Sequence, residues 1–156
     1  LEARVREHPQ VREVRIGRRL PGTLVVRVTE NPPVALVSTA RGLVVTDAAG
    51  DSLPVDPTRI DVDLPVLASR DTLLLRLLGE VRAQEPALFA RVSEVRRVGK
   101  DEVVLQLVDV GVRAMLDMRA ERLLQLSSVE ADLAKRRLHA IELDLRYKDL
   151  VIARLP

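Results

Sequence analysis

Short segments in which apolar and polar residues alternate run along this chain, and they constrain its fold more than any other feature. In VREVRIG the alternation places Val14 and Ile16 on one face. LVVRVTE repeats the pattern with Leu24, Val26 and Val28. A period of two is typical of half-buried β-strands, and the Pro21-Gly22 pair between the segments marks a turn. The sequence therefore predicts a β-hairpin here.

Two longer segments have the spacing of amphipathic helices instead. DTLLLRLLGEVRAQ begins with Asp71, a residue type preferred at N-caps, and Pro86 ends or restarts the helix. RAERLLQLSSVEADLAKRR carries a stripe of Leu123, Leu126, Val129 and Leu133. Hairpins are predicted around residues 47–50 and 99–101. A helix stopped at Pro9 precedes the first hairpin, so the order is a short αββ unit followed by strands with two inserted helices. This order predicts an α+β fold built on antiparallel sheet.

The chain closes on IELDLRYKDLVIARLP, two alternating strands that turn at Lys148-Asp149. The last strand stays largely apolar almost to the final residue. An apolar strand in this position is expected to be either the edge of a sheet or half of an interface.

Composition excludes several classes of function. The 25 basic and 23 acidic residues nearly cancel, and Phe89 and Tyr147 are the only aromatic residues. Nucleic-acid binders usually show a basic stripe with aromatic platforms, so this class is disfavoured. The absence of cysteine excludes disulfides, thiolate zinc sites and thiol nucleophiles. No apolar run approaches the ~20 residues that span a bilayer. Because the chain begins at Leu1 inside a predicted helix, we expect any anchoring segment to lie upstream.

Catalytic chemistry has little support in the residues. His8 and His139 lie at no metal-ligand spacing, and Ser127-Ser128 is in no nucleophile elbow. The carboxylate pairs Asp61/Asp63 and Glu142/Asp144 have a spacing of two in extended segments, which is also typical of the polar face of a strand. Phosphate-binding glycine motifs are absent. We predict a protein that is not an enzyme and has no catalytic, cofactor or metal site. The pair Arg18-Arg19 is either a solvated turn or a group that attracts an anionic membrane surface or an acidic partner.

Several motifs, in order along the chain, together resemble the FtsQ/DivIB family of bacterial cell-division proteins. They are His8-Pro9-x-Val11-x-x-Val14, Arg19-Leu20-Pro21-x-Thr23-Leu24, Glu30-Asn31-Pro32-Pro33-Val34-Ala35, Val45-Thr46-Asp47-x-x-Gly50, Leu64-Pro65-Val66-Leu67, and Ile141-Glu142-Leu143-Asp144-Leu145-Arg146-Tyr147. The family often has an aromatic residue where this chain has Leu20, and a Trp where it has Leu155.

The resemblance implies a single-pass protein of the inner membrane whose extracytoplasmic part acts at the division septum. That part carries a POTRA domain followed by a β-domain. Residues 1–33 would be the C-terminal half of the POTRA domain, whose first strand and helix are not in this sequence, and residues 34–156 the β-domain. The double proline at 32–33 suits such a junction, since prolines remove backbone donors from a sheet.

The resemblance also implies a function and a site. It predicts a non-enzymatic divisome scaffold that recruits FtsB–FtsL by β-strand addition and helps to regulate septal peptidoglycan synthesis. Other divisome subunits and septal synthases are further expected partners, and no small-molecule substrate is expected. Strand addition fits the physics, because main-chain hydrogen bonds supply affinity and alternate side chains supply specificity. The positions that match the family's partner site are Arg146, Tyr147, Val151, Ile152, Ala153, Arg154 and Leu155.

Two alternatives remain open at this point. One is a POTRA-bearing transport or outer-membrane assembly factor that chaperones client polypeptides. The other is an extracytoplasmic hydrolase that uses Asp144 or Asp61. At the candidate site itself, the alternative is an ordinary hairpin in which Tyr147 fills the core.

Overall fold

The structure is a computed structural model that describes residues 2–59 and 63–156. A two-stranded sheet forms the first part of the protein. Helix α1 (Glu2–Arg6) is followed by strands β1 (Val11–Arg19) and β2 (Thr23–Glu30). The strands pair antiparallel, with Ile16 opposite Val26 and Val14 opposite Val28. The predicted hairpin is therefore confirmed. Val14 is buried, but the apolar side chains of β2 lie largely on the surface.

A second, eight-stranded sheet forms the rest. Its strands are β3 (Pro33–Thr39), β4 (Gly42–Asp47), β5 (Val66–Leu67), β6 (Val92–Val98), β7 (Glu102–Leu107), β8 (Gly111–Met115), β9 (Glu142–Asp144) and β10 (Ile152–Arg154). Their order across the sheet is β10-β9-β8-β7-β6-β5-β3-β4. The α+β fold class is confirmed.

The large sheet is mixed, whereas the sequence predicted an antiparallel one. Among the described strands, β3 with β5, β5 with β6, and β8 with β9 pair parallel, and the other neighbours pair antiparallel. Parallel neighbours need a crossover connection rather than a tight turn. Three such connections are present: the segment between β4 and β5, the helices between β5 and β6, and the helical segment between β8 and β9. Residue alternation identifies strands but carries no information on the direction of their neighbours.

Helix α2 (Thr72–Gln84) packs its apolar face against this sheet and forms part of the core. Its N-terminus is capped by the carboxylate of Asp71, which accepts from the backbone N–H groups of Leu73 at 3.0 Å and Leu74 at 3.3 Å. The buried face consists of Leu74, Leu75, Leu77, Leu78 and Val81. A second, short helix, α3 (Pro86–Phe89), begins at Pro86. The predicted cap and the break at Pro86 are both confirmed.

The second predicted helix begins with a tighter turn. A 3₁₀ turn (Ala120–Leu124) precedes helix α4 (Gln125–Lys135), and a further 3₁₀ turn spans Pro57–Arg59. Leu123 and Leu126 are buried in the core, with Val129 and Leu133 packed at its border. The apolar stripe predicted from the sequence thus faces the sheet. The 3₁₀ turn also places Arg122 beside the final loop, between β9 and β10.

Candidate functional site

Strand β10 is one edge of the eight-stranded sheet. It pairs antiparallel with β9, with Ile152 opposite Asp144, Ala153 opposite Leu143 and Arg154 opposite Glu142. No described strand pairs with its other side. The last strand is therefore a sheet edge, one of the two roles that the sequence left open.

Backbone alternation decides which groups point to this free edge. The carbonyl oxygen of Arg154 accepts from the N–H of Ile141 at 2.9 Å, so the backbone of Arg154 faces β9. On its other side β9 bonds to β8, where the N–H of Leu145 donates to the carbonyl of Arg113 at 2.8 Å. Because neighbouring residues in a strand present their polar groups to opposite sides, the N–H and C=O of Ala153 point outward.

The side chains of β10 divide between two faces. Val151 and Ala153 pack at the border of the core, on the helix side of the sheet. Ile152 lies on the other face and is 48% exposed. Exposed aliphatic side chains continue around it at Leu150 and Leu155. A strand that paired with β10 would therefore meet apolar side chains on both faces.

Arg146 is held by carboxylates of its own chain. Its Nη2 lies 2.7 Å from Oδ2 of Asp144, and its Nη1 lies 2.8 Å from Oε1 of Glu102 on β7. The hydrogen bond from Arg146 lowers the pKa of Asp144 below its usual value, and the bonds to Asp144 and then Glu102 raise the pKa of Arg146. The guanidinium thus fastens the end of β9 to β7.

A neighbouring arginine extends this charged network across the outer face. Nη1 of Arg113 lies 3.6 Å from Oε2 of Glu102, and its Nη2 lies 3.8 Å from Oε2 of Glu142. Glu102, Arg113 and Glu142 belong to the neighbouring strands β7, β8 and β9. Cross-strand pairs of opposite charge stabilise a sheet, so these ion pairs help to hold β7, β8 and β9 together next to β10.

Tyr147 lies at the start of the turn that joins β9 to β10. Its side chain is 50% exposed, so it does not fill the core. The N–H of Leu150 donates to the carbonyl oxygen of Tyr147 at 3.4 Å, which closes the turn predicted at Lys148-Asp149. Arg122 donates from outside to the carbonyl oxygens of both Tyr147 and Leu150. An open cleft of about 820 Å³ lies beside this turn and is lined in part by Met115 and Met118.

The seven residues predicted for partner binding lie together in this terminal hairpin. Tyr147, Ile152, Arg154 and Leu155 are exposed, whereas Val151 and Ala153 are half-buried. Arg146, the first of the seven, is half-buried, and two carboxylates of its own chain, those of Glu102 and Asp144, bind its guanidinium. Glu102 and Arg122 hold the site in place, and sequence reasoning missed both. They are distant in sequence, and no local pattern marks them.

The remaining chemical candidates do not assemble into a site. Within the described ranges, no three His, Asp or Glu side chains lie close enough to bind a metal ion. Asp144 of the Glu142/Asp144 pair is bound to Arg146, and this contact favours its ionised form rather than a general acid. Asp61 lies outside the described residues, so the Asp61/Asp63 pair is not placed. No helix in the described part of the chain has the length and apolar character to cross a membrane.

Comparison with known proteins gives a likeness in structure but none in sequence. No protein-family model and no curated protein sequence matches the chain. A solved structure is similar to it: the major extracytoplasmic domain, in its trans isomer, of the bacterial cell-division protein DivIB from Geobacillus stearothermophilus. The two share 20% sequence identity with a TM-score of 0.48, over 69% of this chain and 97% of that chain.

Proposed function

We propose that this chain is the extracytoplasmic part of a cell-division scaffold of the FtsQ/DivIB type, which recruits FtsB–FtsL by accepting a strand at β10. The observation that carries the proposal is the free edge of β10, whose outward backbone groups at Ala153 are flanked by exposed aliphatic side chains. The scaffold would be anchored by a single upstream span in the inner membrane and act on septal peptidoglycan synthesis through its partners.

The ordered sequence motifs support this proposal independently of the edge. They run from His8-Pro9 to the Ile141–Tyr147 segment, and the last of them ends at the turn that precedes β10. The motif order and the free edge thus point to the same end of the molecule. We propose on the same basis that residues 1–33 are the C-terminal half of a POTRA domain and residues 34–156 the β-domain.

Strand addition at β10 is physically favourable for two reasons. An added strand gives the outward N–H and C=O of Ala153 partners, and β-augmentation obtains its affinity from such main-chain bonds. It also covers apolar surface at Ile152 and Leu150, which lie 48% and 64% exposed in the free chain. Soluble proteins usually protect an edge strand from pairing with charges, prolines or bulges. Arg154 is the only charged residue within β10.

The decisive experiment compares two proline substitutions in β10. Ala153→Pro removes the outward N–H but keeps the bonds to β9, so it is expected to abolish binding of an FtsB peptide while the fold persists. Ile152→Pro removes a donor that faces β9, so it is expected to lower the melting temperature as well. Calorimetry gives the affinity and circular dichroism gives the fold. Full binding by a folded Ala153→Pro variant would refute strand addition at this edge.

A second comparison separates the scaffold from a chaperone of client polypeptides. A scaffold binds the FtsB peptide and rejects a peptide of the same composition in scrambled order, because the side chains on both faces of β10 select the sequence. A chaperone would bind both peptides with similar affinity. Equal affinities would therefore contradict the recruitment function and favour the transport or assembly factor.

A further inference from the structure

The hairpin β1–β2 exposes aliphatic side chains around its tip. Leu20, in the turn, is 80% exposed, and Leu24, at the start of β2, is 52% exposed. Isolated apolar side chains are common on protein surfaces, but a contiguous group usually marks a contact.

The same hairpin carries an unbalanced charge. Residues 11–30 contain five arginines and two glutamates, both near the end of the hairpin away from the tip, although acidic and basic residues nearly cancel over the whole chain. Arg15 lies 2.7 Å from Glu13, an ion pair between exposed side chains. Arg18, Arg19 and Arg27 form no ion pair among the described residues. The exposed tip is therefore surrounded by positive charge with little internal compensation.

The two strands distribute these arginines around the tip. Arg18 lies opposite Leu24, on the face that carries the aliphatic side chains. On the other face, Gly17 lies opposite Val25, and an added Cβ at Gly17 would meet no atom within 4 Å. This open place is part of a shallow cavity of about 380 Å³ that Arg15, Arg19 and Arg27 also line. A guanidinium forms bidentate hydrogen bonds with phosphate oxygens, so the cavity suits a phosphate group.

We propose that the tip of the β1–β2 hairpin docks on an anionic phospholipid surface. Leu20 and Leu24 enter the boundary between headgroups and acyl chains, and Arg18 and Arg19 contact the phosphates on either side. Apolar side chains flanked by arginines are the composition of interfacial anchors, because apolar burial and attraction to anionic lipid act together. A lipid surface fits better than an acidic polypeptide, because Leu20 and Leu24 are exposed at the turn and a bilayer offers these apolar side chains an apolar phase beside its phosphates. An acidic polypeptide could pair with the arginines but would leave the two leucines in water.

This contact is distinct from the edge of β10. The hairpin and β10 belong to separate sheets, and no residue is shared between the two surfaces. A protein that loses its affinity for lipid is therefore expected to bind the FtsB peptide normally. The lipid contact and the proposed scaffold function can be tested separately.

The test is co-sedimentation of the 156-residue chain with vesicles. Vesicles of phosphatidylcholine and phosphatidylglycerol are expected to bind the protein, and vesicles of phosphatidylcholine alone to bind little. The double variant Arg18→Gln/Arg19→Gln is expected to bind anionic vesicles about 30-fold more weakly, since each arginine near an anionic surface contributes about fivefold. The matched control is Arg136→Gln/Arg137→Gln, an adjacent exposed pair after α4, which is expected to bind as the parent does.

A further variant tests the apolar part. Leu20→Ser removes the most exposed side chain of the tip without opening the core, and it is expected to weaken binding to anionic vesicles severalfold. The proposal is overturned if the protein does not bind anionic vesicles at low salt, or if it binds both kinds of vesicle equally. It is overturned as well if the Arg18/Arg19 and Arg136/Arg137 double variants lose the same amount of affinity for anionic vesicles. It is also overturned if a poly-glutamate peptide binds the tip and the vesicles do not.

Discussion

Arg122 bonds to the final loop of the chain, where its Nη2 donates to the carbonyl oxygen of Leu150 over 3.0 Å. The same guanidinium donates to the carbonyl of Tyr147, so one side chain holds both ends of the turn. The turn's internal hydrogen bond, from Leu150 N to Tyr147 O, is long at 3.4 Å. The position of Tyr147 and the start of β10 therefore depend on a residue 25 positions earlier.

We expect Arg122→Met to loosen this turn without unfolding the protein. Methionine keeps an unbranched apolar stem at this position but removes the donors. Backbone amides of residues 148–151 should then exchange with solvent faster, while amides of the α2 core keep their protection. The neighbouring Arg119→Met is the control, because no described hydrogen bond links the side chain of Arg119 to the turn. Unchanged exchange in the Arg122 variant would contradict the role of these bonds.

Tyr147→Ala is expected to weaken binding of the FtsB peptide by about 2 kcal/mol, which is typical of an aromatic anchor residue. The fold should persist, because Tyr147 is half exposed in the free chain and is not one of the buried core residues. Tyr147→Phe is the matched control, since it keeps the ring and loses only the hydroxyl. Calorimetry with the peptide measures all three proteins. Equal affinity of the alanine variant and the parent would remove Tyr147 from the site.

The sequence predicted the local parts of this fold well because local patterns determine them. The Asp71 cap, the break at Pro86 and the turn at Lys148-Asp149 all follow from residue types within a few positions. The parallel neighbours in the sheet did not follow, because they depend on how crossovers return the chain. The edge position of β10 was one of two possibilities, and only the strand order decided between them.

The candidate site shows the same division. Residue alternation and family resemblance placed its residues on the terminal hairpin, because a hairpin is determined by residues that are close in sequence. The pairing of Arg146 with Glu102 joins residues 44 positions apart and depends on β7 and β9 both flanking β8. For this reason the sequence did not reveal that Arg146 is paired within its own chain. We now expect Arg146 to act on binding chiefly by holding the end of β9 in position.

The Asp144–Arg146 contact predicts a pH-dependent contribution to stability. The pKa of Asp144 is lower in the folded chain than its ordinary value of 3.8. Its contribution is therefore present in full above the unfolded-state pKa and is lost as the pH falls through the folded-state pKa. Asp144→Asn should lower the melting temperature at neutral pH, and the difference from the parent should shrink below about pH 4.

The control for this pH experiment is Asp132→Asn. Asp132 forms an exposed ion pair with Arg136 at 3.0 Å, and such pairs contribute little to stability. Thermal unfolding followed by circular dichroism at a series of pH values measures both variants. A difference between Asp144→Asn and the parent that stays constant from neutral to acidic pH would contradict the assigned contact.

Gly79 in helix α2 lies against Ala48, and this close approach predicts an unusual effect of mutation. Replacing glycine with alanine inside a helix normally stabilises it by about 1 kcal/mol. Here a Cβ at position 79 would lie 2.6 Å from the Cβ of Ala48, so Gly79→Ala should destabilise the protein by about 1–3 kcal/mol. The double variant Gly79→Ala/Ala48→Gly removes the clash and should recover most of the loss. Denaturant unfolding measures these free energies, and a stabilised single variant would show that α2 and Ala48 do not pack this closely.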